Sequence, residues 1–127
     1  MKNWIVVLIL SFFIQACGIS MGDRVDNGNL SVYFLEDVGK NNAIKFSRYW
    51  KNNDLVGEQK QVIQLERIDG IIVIKLIERE IYHADPFTIE EEAMLQNLER
   101  DLKKEVFDED VEIMITDNTF RPIIKRQ

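Results

Sequence analysis

The chain has 127 residues, with 22 acidic side chains against 16 basic ones and a net charge of −6. That length suits one domain with a real core. Without a Lys/Arg stripe to neutralise phosphates, the acidic balance argues against nucleic acid as a partner. One cysteine, Cys17, excludes an internal disulfide framework and a thiolate metal site.

Lys2 gives the chain a positive start, and Trp4 to Ile14 is apolar except for Ser11. Those eleven residues are too few for a membrane span, which needs about 20. They match the apolar core of an export signal, about 7–15 residues long. Small Ala16 and then Cys17 follow. The run Ile14-Gln15-Ala16-Cys17 resembles the lipobox of bacterial lipoproteins. The resemblance implies that residues 1–16 are a signal peptide and that Cys17, carrying three acyl chains, is the first mature residue. Residues 17–29 are then expected as a flexible tether, and 30–127 as the domain.

By the same resemblance the protein belongs to the bacterial cell envelope. Gly18 after the cysteine, with no acidic residue beside it, favours the outer membrane in a Gram-negative cell. Of the basic residues only Lys2 is lost with 1–16, which takes the net charge to −7. Such a surface is repelled by anionic lipid, so the acyl chains would do the anchoring.

Gly18 to Asn29 shows no useful periodicity. Leu30 to Leu35 reads as a strand rich in β-branched and aromatic residues. Lys40 to Asn52 has helical spacing, with Ala43, Phe46 and Trp50 on one face and Gly39 acceptable as its cap. Val62–Arg67 and Ile71–Ile77 flank Ile68-Asp69-Gly70, a hairpin signal. Thr88-Ile89-Glu90-Glu91 is a capping box opening a helix to about Phe107, with Leu95, Leu98, Leu102 and Val106 as its buried stripe. Glu99 and Lys103 are suitably spaced to pair. Val111 to Thr116 is a further strand, and Phe120 to Lys125 a short edge strand after a turn at Asp117-Asn118-Thr119.

This order predicts an α+β fold, a ferredoxin-like βαββαβ sandwich in which a four-stranded antiparallel sheet carries two helices on one face. The segment from Val32 onward resembles an uncharacterised ferredoxin-like module of bacterial exported proteins. The matching pieces are Val32-Tyr33-Phe34, Val38, Val62-Ile63-Gln64-Leu65, Val106-Phe107 and Val111 to Phe120. These are mostly core positions, and no activity comes with them.

Candidate chemistry is sparse, and no motif calls for a cofactor. The loop Glu36 to Lys40 has two carboxylates where a phosphate-binding relative needs an arginine. Ile71 to Ile77 has none of the aromatics on which RNA bases stack. His83, near Glu80 and Asp85, is the one candidate general base, and a hydrolase using it is the weakest reading. Glu90-Glu91-Glu92 suits a helix N-terminus, and Asp108-Glu109-Asp110 lacks the ligand spacing of a calcium loop.

The sheet face away from the helices is the more informative surface. Strand parity places Tyr33, Leu35, Val73, Ile77 and Met114 there as an apolar strip for binding another envelope protein or a second copy. The opposing expectation is that the tail from Phe120 or the preceding tether folds over it. A further alternative is a protease-inhibitor or propeptide-like module whose tail, Phe120 to Gln127, enters a protease cleft.

Overall fold

The computed structural model describes residues 21–77 and 88–123. Within them lie β1 (Asp23–Asn27), β2 (Leu30–Phe34), α1 (Lys40–Asn52), β3 (Gln61–Ile68), β4 (Ile71–Ile77), α2 (Ile89–Leu102) and β5 (Val111–Thr116). The strands form one sheet in the order β1-β2-β3-β4-β5. β1/β2 and β3/β4 pair antiparallel, whereas β2/β3 and β4/β5 pair parallel.

The α+β class and the two helices agree with the sequence reading. The ferredoxin-like sheet does not: five strands replace four, and the sheet is mixed. In the ferredoxin-like arrangement the last strand lies beside the first strand of the repeat. Here β1 occupies that edge of β2, β3 pairs directly with β2 with no strand inserted between them, and β5 pairs with β4 at the far side of the sheet. Residues 23–27, expected within a tether, are therefore an edge strand.

Each helix now joins two adjacent parallel strands. β2 and β4 run in opposite directions, yet both crossovers step the same way across the sheet. Both helices contribute to one core, so the two crossovers have opposite hands and one is left-handed. Crossovers of this kind are right-handed in about 98% of cases.

That core explains the cost being met. Leu30, Val32, Ile63, Leu65, Ile72, Ile74 and Ile113 from the sheet are fully buried, together with Ala43, Phe46 and Leu102 from the helices. The Phe46 ring lies 5.1 Å from Trp50 and 6.1 Å from Phe107, stitching α1 to the end of the second helical segment. The Trp50 indole N–H donates to Gln61 Oε1 at 3.2 Å, so the polar tip of the largest core ring has a partner.

Local signals place these elements. α1 opens at Gly39, whose φ of 86° and ψ of 153° lie in a region essentially reserved for glycine. The Asp69-Gly70 turn has φ of 51° and 79°, the positive pair that a two-residue hairpin requires. α2 opens on the Thr88–Glu91 capping box, with both reciprocal bonds formed. After Leu102 it widens into a π-helical turn, Lys103–Phe107, closed by Asp108 N–H donating to Lys103 O at 2.8 Å. The wider turn buries consecutive Val106 and Phe107.

Candidate functional site

The outer face is built from the alternate residues of every strand. Arg24, Tyr33, Gln64, Lys75 and Met114 form one row across all five strands. Glu66, Val73 and Glu112 form a second on β3, β4 and β5. Thr116 lies beside Ile77 at the end of β4 and β5.

This face is less open than the sequence suggests. Val73 is 2% exposed, and Tyr33, Leu35, Ile77 and Met114 are half-buried. The five residues do share the face, but they are not an exposed strip. Polar residues are buried there too: Ser31, Gln64 and Thr116. Each has a partner, with Ser31 Oγ donating to Asp26 Oδ1 at 2.7 Å and Thr116 Oγ1 to Leu76 O at 3.1 Å. Lys75 Nζ meets Glu66 Oε2 at 2.6 Å with the lysine side chain only 13% exposed. Shielded in this way, the pair is screened less by salt than a surface pair.

Two segments fold onto the face. The first is the approach to β1: Gln64 Nε2 donates to the Met21 carbonyl at 3.1 Å. Gly22 then passes so close to the end of β2 that a Cβ there would sit 2.2 Å from Phe34 O. The second is the chain after β5. It reverses at Asp117, whose Oδ1 accepts from Thr119 N–H (2.8 Å), Thr119 Oγ1 (2.6 Å) and Arg121 N–H (3.1 Å). The Thr119 hydroxyl first, and then the Arg121 N–H, hold the Asp117 carboxyl below its ordinary value. Pro122 then bridges Thr116, and Ile123 N–H donates to Ile115 O at 3.1 Å.

This reversal seats Phe120, 5% exposed, with its ring 6.5 Å from Tyr33. Arg24 covers the same Tyr33 ring at 6.0 Å. Phe120 has φ of 62°, a true outlier for an aromatic residue. Such strain costs about 1–3 kcal/mol. Burying the ring contributes about 1.5–3 kcal/mol, and the aromatic pair about 0.5–1.5 kcal/mol more. The reversal is therefore held by a margin much smaller than the burial alone suggests.

The rest of the expected chemistry has structural roles. Glu91 serves the capping box. Glu109 receives both bonds from Arg67 Nη2, at 2.7 and 2.9 Å, while Arg67 Nη1 donates to Asp37 O. That clamp ties the loop after β2 to the loop before β5. Asp110 meets Lys103 at 2.6 Å, raising the pKa of the lysine, and Glu99 Oε2 accepts from Ile113 N–H at 2.6 Å. Among the described residues, no three His, Cys, Asp or Glu side chains converge to hold a metal ion. A groove of about 620 Å³ between α2 and β5 carries charges of both signs, including Glu92, Arg100 and Glu112. Cys17 and His83, with Glu80 and Asp85, lie outside the described residues. Of the tail proposed to enter a protease cleft, Phe120 to Ile123 returns along β5, Phe120 with its side chain buried. The remaining four residues, 124–127, lie outside the description. The turn expected at Asp117-Asn118-Thr119 is formed, an Asx-turn pattern. The tail from Phe120 folds over the outer face as the opposing expectation had it, though through one bridge at Pro122 rather than a strand.

No protein-family model, curated protein or solved structure matches the chain.

Proposed function

We propose that the protein is a lipid-anchored, non-enzymatic domain of a bacterial cell envelope that binds another envelope protein through its outer sheet face. The pattern Ile14-Gln15-Ala16-Cys17 carries the anchoring part of this reading. The path of the chain adds geometry to it. Asp23, where β1 begins, is six residue steps from Cys17, which can span at most about 22 Å. The bond from Gln64 to the Met21 carbonyl brings the chain onto the outer face just before β1. An acyl group on Cys17 would thus hold that face and the β1 edge close to the bilayer. The acidic surface supplies no attraction of its own to anionic lipid.

The half-buried Tyr33, Leu35, Ile77 and Met114, with charged Arg24 and Glu112 around them, support protein binding over lipid insertion on this face. Membrane fractionation tests the anchor. Wild-type protein is expected in the membrane fraction and Cys17→Ser in the soluble one; retention of the variant would refute the reading. Tyr33→Asp tests the face: capture of the partner from native membranes should fall at least tenfold while the unfolding transition stays cooperative. Undiminished capture would move the binding surface elsewhere.

A further inference from the structure

We propose that the outer face is also a self-association surface, on which two copies of the chain exchange the segment Phe120–Ile123. Three observations meet at this segment. The first is strain: the turn Asp117–Arg121 forces Phe120 to a φ of 62°. The second is that the contacts made after the turn are separable from it. The ring beside Tyr33, the Thr116–Pro122 bridge and the Ile123–Ile115 bond do not require that both sides belong to one chain. The third is location, since the segment follows β5 and contributes no side chain to the helix-face core.

When the turn opens, residues 117–121 extend and Phe120 returns to ordinary backbone. A second copy then offers the same Phe120 to the same place beside Tyr33, and each chain regains the contacts made after the turn. The hydrogen bonds of Asp117 to Thr119, Phe120 and Arg121 within the turn are given up to solvent. Only the strained turn is lost, so association of two copies is favoured by strain relief and opposed by association entropy. Short, strained hinge loops are the recognised setting for such exchange. The occupant is specified by the site itself, because the surface already fits Phe120, Pro122 and Ile123. The exchange depends on the turn and the face, and does not rest on the lipid anchor.

Disulfide trapping tests it. Antiparallel bridge partners such as Thr116 and Pro122 stand at a separation that a disulfide spans. Thr116→Cys and Pro122→Cys are placed in two differently tagged full-length chains and coexpressed, with a coexpressed pair lacking introduced cysteines as background. The double variant in one chain is the control for the closed form and should give an intrachain bond. Exchange predicts a heterodimer joining residue 116 of one chain to residue 122 of the other, well above either homodimer. Adding Phe120→Gly to both chains relieves the turn strain in the monomer and should reduce the heterodimer at least tenfold. Only intrachain bonds in the double variant with no heterodimer in the mixture, or a heterodimer indifferent to Phe120→Gly, would overturn the proposal.

Discussion

The two faces of this sheet are covered by different means. The helix face is sealed by whole elements that interlock as one cluster around Phe46, Leu65, Ile74 and Leu102. No buried residue of that cluster has a positive φ, and the π-helical turn that carries Val106 and Phe107 is its one irregular stretch. The outer face is covered in part by single contacts: a carbonyl at Met21 and one aromatic ring, Phe120, held in a strained turn. Burial is therefore not equivalent on the two sides. Phe46 and Phe120 are both nearly inaccessible, at 0% and 5%, yet one is supported by its backbone and the other opposes it. A cover that is buried but strained can be displaced; one that is buried and relaxed is simply structural.

The largest expected effect is on the relaxed side. Phe46→Ala should cost about 3–5 kcal/mol in urea unfolding, because its cavity lies between two helices and the sheet. Next comes the approach to the outer face. Gly22→Ala places a methyl against the Phe34 carbonyl at a φ of 89°, and should cost about 1–3 kcal/mol. Amide exchange should localise that loss to β1 and β2. Phe120→Gly should cost only about 1 kcal/mol, since lost burial is offset by released strain. Equal costs for Phe46→Ala and Phe120→Gly would erase the distinction between the faces.

How much of this was legible in the sequence follows the same division. The helix-face core was readable because Ala43, Phe46 and Trp50 keep helical spacing, and Leu95, Leu98 and Leu102 repeat it. The Asp69-Gly70 hairpin and the Thr88–Glu91 box announce themselves through local backbone chemistry. β1 was not legible. Asp23-Arg24-Val25-Asp26-Asn27 has one apolar residue, as befits a short edge strand protected by charge. Missing it left one edge of β2 open for the last strand, and the split expected between β2 and β3 also fails, because those two strands pair directly. Parity correctly put Tyr33, Val73 and Met114 on one face, but parity cannot report what folds over them. The positive φ of Phe120 has no signature in residue type at all.

The smallest effect concerns acid. The native pKa of Asp117 lies below its ordinary value of 3.8, so its contribution is present above that value and is lost as pH falls through the lower native value. Thr119 and Arg121 amide protection should drop in that window while the helix-face core holds, and Asp117→Asn should abolish the pH dependence. Loss of the core amides at the same pH would mean that the turn is integral to the core.

The anchoring at Cys17 is the claim on which the placement of the outer face depends. The most direct measurement is the mass of the N-terminal peptide of the protein recovered from bacterial membranes. A lipid anchor at Cys17 requires a peptide beginning at Cys17, with residues 1–16 removed, a diacylglyceryl thioether on sulfur and a third acyl chain on the amine. A peptide beginning at Met1, or one with Cys17 unacylated, would contradict it.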